Sequence, residues 1–182
     1  MNKIKKGQVW VETVIYTLIG LTIIGILLGV AIPKIKQISD RSTIQQTIVA
    51  LDDLNKKVDV VKETLGNKRI VEIRIKKGEL TIEPNEEKIY YTLEDTGLKL
   101  TEPGENIEQG EIIIRTDEKN KKYKITLTLD YSGKRVDLSV DGSEDKRILQ
   151  GSPTPYKLSI ENIASSESTE GNPEINVDIK VI

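Results

Sequence analysis

Lys5-Lys6-Gly7-Gln8-Val9-Trp10-Val11-Glu12 leads into twenty residues, Thr13 to Ile32, that carry no charge. At about 1.5 Å of rise per residue, such a run makes a helix of about 30 Å, the hydrocarbon thickness of a bilayer. Its entry is unusual. A basic start and a lone Gly7 come first, and one carboxylate, Glu12, stands just inside the apolar stretch. Lys3, Lys5, Lys6 and the amino terminus favour a cytoplasmic location for this end. The bias is modest, because Lys34, Lys36 and Arg41 follow the other end.

Composition narrows the classes of function. The chain has 182 residues, enough for one domain beside the membrane-length run. Its 27 cationic and 29 acidic side chains give a formal net charge of −2, with no basic block beyond the first six residues. That balance argues against a nucleic-acid partner. Cysteine is absent, which excludes disulfides and thiolate metal sites, and histidine is absent, which removes the commonest general base and metal ligand. With no Phe, one Trp and six Tyr, the core must be built from Ile, Leu and Val.

Downstream of Pro33 the pattern changes period. Ile44, Ile48, Leu51, Leu54, Val58, Val61 and Leu65 recur every three or four residues, as one face of an amphipathic helix does. Gly66-Asn67 supplies a stop, with Gly in the left-handed cap conformation. Pro33 either kinks the helix or marks its exit from the bilayer. If it only kinks, Val9 to Leu65 is a single rod of about 85 Å.

After Asn67 the period drops to two. Ile70 to Ile75 and Leu80 to Ile82 read as a hairpin about Lys76-Lys77-Gly78. Ile89 to Leu93, Leu98 to Leu100, Ile112 to Ile114, Tyr123 to Tyr131, Val136 to Val140, Leu158 to Ile160 and Ile175 to Val181 follow as strands. Gln150 to Pro155 and Ala164 to Pro173 read as loops by composition. The expected fold is α+β: a long N-terminal α-helix, hydrophobic then amphipathic, followed by an antiparallel β-sandwich head. The expected segments are a leader at 1–7, a transmembrane or filament-core helix at 8–33, an amphipathic stalk at 34–66 and the head at 67–182. The last strand either pairs within its own sheet or is donated to a neighbouring chain.

Lys5-Lys6-Gly7-Gln8, with Glu12 and a Gly-punctuated apolar helix behind it, resembles the class III signal peptide of archaeal type IV pilins. The resemblance covers Lys5 to about Leu65, and in the head it extends only to architecture. It implies that a prepilin peptidase cuts between Gly7 and Gln8, leaving Gln8 first and Glu12 fifth in the mature chain. Trp10 departs from the family, many members of which carry a small polar residue there. The implied function is that of a structural subunit. Held in the membrane as a precursor, it would then polymerise with copies of itself into an extracellular filament for adhesion to a surface ligand the sequence does not specify.

The residues support that arrangement on physical grounds. A cut before the apolar run leaves the run on the mature protein. A carboxylate in lipid is expensive unless paired, so Glu12 either snorkels to the headgroups or takes a partner from the next subunit and sets register. Gly25 and Gly29 form a small-xxx-small pair that permits close helix approach, and Gly20 adds a third gap. An amino-terminal Gln8 can also cyclise, which would leave Glu12 needing a neutral donor. Two rivals stand beside the pilin: a membrane-tethered β domain that never polymerises, and a secreted domain released by a cut after Gly29-Val30-Ala31.

Other motifs carry less. Asp137 and Asp141-Gly142-Ser143-Glu144-Asp145 bunch oxygen ligands without calcium-loop spacing, as a hairpin turn with solvated acids also does. No nucleophile elbow or phosphate loop is present, so no enzyme activity and no cofactor are expected. The chain contains no Asn-x-Ser/Thr acceptor.

Overall fold

A computed structural model describes residues 6–163 and 175–182, with side chains from Trp10 onward. The loop expected over 164–173 lies outside the described residues. The chain divides into two compact units, Met1–Ser39 and Asp40–Ile182.

One helix, α1 (Lys6–Lys62, 57 residues), supplies the first described element. Pro33 lies inside it. Its missing N–H leaves the Gly29 carbonyl without the usual bond four residues on, but the helix does not end there. The periodic residues of the second half behave as their spacing requires. Ile44, Leu51, Leu54, Val58 and Val61 are buried, and Ile48 packs against the same core. Lys56 and Lys57 pair with Asp52 and Asp53 one turn earlier, on the solvated side. α1 stops at Lys62, and Leu65 is 64% exposed, so Leu65 is not part of the buried stripe. Gly66 takes φ +75° as a cap glycine does.

Ten strands follow: β1 (Lys68–Ile73), β2 (Glu79–Glu83), β3 (Lys88–Thr96), β4 (Asn106–Gln109), β5 (Ile112–Lys119), β6 (Lys122–Asp130), β7 (Val136–Val140), β8 (Arg147–Gln150), β9 (Tyr156–Ile163) and β10 (Ile175–Val181). They form a four-stranded sheet in the order β1-β9-β10-β7 and a six-stranded sheet in the order β4-β5-β6-β3-β2-β8. The layout is α+β, one long helix followed by two sheets. Buried residues of α1 and of both sheets belong to one hydrophobic cluster.

Three expectations are corrected, and one of two alternatives is decided. β1 and β2 are not a hairpin, because β1 pairs with β9 in one sheet and β2 with β3 and β8 in the other. Ile75 is buried between them and its carbonyl accepts the Ser152 N–H at 2.8 Å, which draws the connection inward. Gly78, at φ +73°, is required there. A Cβ would strike the Thr92 carbonyl and come within 2.7 Å of the Tyr91 hydroxyl. Leu98 to Leu100 is not a strand, while the unexpected β4 and β8 are edge strands too short to show alternation. The sheets are not wholly antiparallel, since β10 runs parallel to β7. Finally, β10 lies between β9 and β7 in its own chain's sheet, as the first of the two expectations for it had it.

Candidate membrane and assembly segment

α1 is long and apolar enough to cross a membrane by length and composition, and none of its most apolar window is buried within the chain. Its apolar side chains are open around the whole circumference. Trp10 is 71% exposed, and Ile15, Leu18, Leu21, Ile24, Leu27, Val30, Ile35 and Ile38 are each at least half exposed. A helix apolar on every side needs an apolar surround, which water does not provide. Two hydroxyls in the run are satisfied locally. The Thr17 and Thr22 hydroxyls donate to the Thr13 and Leu18 carbonyls, each at 2.8 Å. Such back-bonding lets hydroxyls sit in lipid without an outside partner.

Gly7 and Gln8 are helical in backbone, within α1, and their side chains lie outside the described residues. Glu12 is exposed, with no ion pair among the described residues. Gly20, Gly25 and Gly29 have no neighbouring atom within 4 Å of where a Cβ would stand, so the space beside each is open. Gly25 and Gly29, one turn apart, share a face of the helix. The fold brings none of these residues to another site residue.

A second cluster escaped the sequence reading. Asp40 is buried although it is ionisable, its Oδ1 2.8 Å from the Lys77 Nζ and its Oδ2 accepting the Thr96 hydroxyl at 2.8 Å. Thr96 reaches Asp40 because of a β-bulge between Leu93 and Thr96, with Asp95 at φ 54°. The extra residue switches the parity of β3, so Thr96 turns to the face on which Ile89, Tyr91 and Leu93 are buried. Asp40 stands four residues before Ile44, in phase with the apolar stripe, and that phase was the available signal. The bulge had none.

The other end of the buried helix stripe is held by amides. The Asn67 Nδ2 donates to the Val60 carbonyl at 2.8 Å and the Asn162 Nδ2 to the Val61 carbonyl at 3.1 Å. These satisfy carbonyls that a helix end leaves without partners. Midway, the Tyr131 hydroxyl donates to the Asn55 Oδ1 at 3.0 Å, and burial pushes that phenol up. Tyr91 is pushed up to about 12 by burial, and its hydroxyl donates to the Lys77 carbonyl at 2.6 Å.

Two acids of the stretch around the turn after β7 meet the protein's own donors, Asp145 the Ser143 hydroxyl at 2.9 Å and Asp137 the Asn176 Nδ2 at 3.2 Å. Asp141 and Gly142 both have positive φ, the signature of a two-residue hairpin turn, and Val140 and Ser143 exchange backbone hydrogen bonds across it. The buried Asp178 accepts the Gly142 N–H at 2.9 Å and the Ser139 hydroxyl at 3.0 Å, beside the Lys180 Nζ at 3.0 Å. Among the described residues no group of three acidic side chains is placed to hold a metal. No protein-family model, curated protein or solved structure matches the chain.

Proposed function

We propose that the chain is a structural subunit of an extracellular type IV pilus-like filament. In this reading a prepilin peptidase cuts the precursor at Gly7–Gln8, and the precursor stays in the membrane until it is assembled with copies of itself. The observation that carries the reading is the apolar helix with no buried side, led by Lys5-Lys6-Gly7-Gln8 and Glu12. Lipid surrounds it first, and equally apolar helices of other subunits replace the lipid on assembly. The open space at Gly20, Gly25 and Gly29 admits close neighbours, and Glu12 takes a donor from the adjacent subunit and sets register. The ten strands form a β-sandwich head on the outside of the filament, which acts in adhesion. Continuity of α1 through Gly29-Val30-Ala31 favours a cut at its front over a cut at its back.

The amino terminus of the cellular product decides among the readings. Gln8, free or cyclised, as first residue in sheared filaments supports the pilus subunit. An uncut Met1 in membranes supports a tethered monomer, and Ile32 in the medium sinks the filament reading outright. Gly7→Phe is expected to abolish trimming and leave only full-length precursor by intact mass. Glu12→Ala is expected to be trimmed normally and to fail in polymerisation.

A further inference from the structure

Most cations of Asp40–Ile182 stand within 4 Å of a carboxylate, but eight do not among the described residues. Three of these, Arg69, Arg135 and Arg147, are dispersed along the chain. The other five gather at one end of the head. Lys77 and Thr96 fix Asp40 at that end, so Arg41 lies there too. Arg74 and Lys76, on the connection from β1 to β2, line a shallow groove of about 330 Å³ with Gly151, Ser152 and Pro153, and the Lys76 Nζ donates to the Gln46 Oε1 at 3.0 Å. Thr96 pairs with Tyr123 at the start of β6, and the β5–β6 hairpin beyond it carries Lys119 and Lys121. All five cations are exposed.

Three acids at this end are engaged. Asp40, Glu94 and Asp95 pair with Lys77, Lys124 and Lys122. Glu79, Glu105 and Glu118 remain without an ion pair among the described residues, fewer than the five cations. The end of the head that holds Asp40 is therefore a net cationic surface on a unit that is acidic as a whole.

We infer that this surface docks on the anionic phosphates of a lipid headgroup layer while the precursor is held in the membrane. The inference rests on the membrane-embedded reading above. The occupant follows from chain position and charge. Asp40, at this end, comes eight residues after Ile32, the last of the uncharged run, and Lys34 and Lys36 lie between. Even fully extended, eight residues span at most about 29 Å, so the chain tethers this end of the head within reach of the bilayer surface. Docking holds the head against the bilayer until assembly withdraws the helix.

The absence of cysteine permits a single probe. Thr154→Cys, exposed in the turn after the groove, carries a fluorophore in the full-length chain, and the vesicles contain a headgroup-bound quencher. Flotation reports insertion and quenching reports docking. In phosphatidylcholine–phosphatidylglycerol vesicles the label is expected to be quenched at low salt and released at high salt. In phosphatidylcholine alone it is expected to stay bright. Arg41→Gln, Arg74→Gln and Lys76→Gln should each lower the docked-to-free ratio roughly fivefold. Arg69→Gln, Arg135→Gln and Arg147→Gln together should leave it unchanged. Equal quenching in the two lipids, or equal loss in the second set, overturns the docking while insertion stands. A chain that does not float overturns both readings.

Discussion

Leu27 and Leu54 stand on the same helix, 63% exposed in one case and fully buried in the other. Their intrinsic helix propensity is the same, so the difference lies in what surrounds them in sequence. Leu27 is flanked by Ile26, Leu28 and Gly29, and no rotation of the helix would give it a polar back. Leu54 has Asp52, Asp53, Lys56 and Lys57 around it and apolar partners only one turn away. A uniform run asks for an apolar medium or several like neighbours, whereas a periodic one asks for a partner on one side. Asp40–Ile182 supplies that partner to Leu54 from its own strands. The described residues supply none to Leu27, which is why its surface is read as belonging to lipid and then to other subunits.

Truncating each leucine separates the two surroundings. Leu54→Ala is expected to cost about 2–5 kcal/mol of head stability through lost burial and a residual cavity. Leu27→Ala should leave the unfolding of the head unchanged, as followed by circular dichroism in urea with the full chain in detergent micelles. Similar losses from the two would mean that the exposed run belongs to the head's core after all.

A smaller effect is expected where the buried stripe begins. Asp40→Ala leaves the Thr96 hydroxyl and the Lys77 ammonium without their partner and should cost about 1–3 kcal/mol in the same measurement. Lys77 is 41% exposed, so most of that loss comes from the hydrogen bonds rather than from the ion pair. Asp40→Asn, which keeps an acceptor for Thr96, should recover part of it. If Asp40→Ala is neutral, the cluster does not fix the helix to the sheets.

The smallest effect concerns pH. Burial pushes the Asp178 carboxyl up, but the Gly142 N–H, Lys180 and Ser139 outweigh it and leave the group below the ordinary carboxylate value. A carboxyl depressed in the folded state adds stability above its unfolded pKa of about 4, and that stability is lost as pH falls through the folded value. Asp178→Asn should therefore flatten the acid limb of stability below pH of about 4 and leave the Asp141-Gly142 turn in place. An unchanged acid limb would show that other carboxylates govern it.

Much of this molecule was legible because local periodicity constrains local structure. The uncharged run, the three-four spacing of Ile44 to Val61 and the alternation in β3, β6 and β10 each follow from how side chains project from a helix or a strand. The Asp141-Gly142 turn follows from the φ values those residues tolerate. For the candidate segment, the sequence alone provides the leader pattern, Glu12 and the three glycines, all local features.

Pairing was decided elsewhere. Ile70 to Ile82 has the pattern of a hairpin, but β1 finds β9 about ninety residues away, because the buried Ile75 and the tight Gly78 turn carry the chain from one sheet to the other. The parallel contact of β10 with β7 and the bulge that turns Thr96 inward are likewise set by partners distant in sequence. Asp40 has its partners only once β3 and the β1–β2 connection are folded around it. The helix, eight of the ten strands and the apolar face of each follow from neighbours one to four residues apart, whereas the short β4 and β8 and the irregular Leu98 to Leu100 do not. Which strands meet, where the cations without an ion pair among the described residues lie and which carboxylates are buried depend instead on groups that only folding brings together.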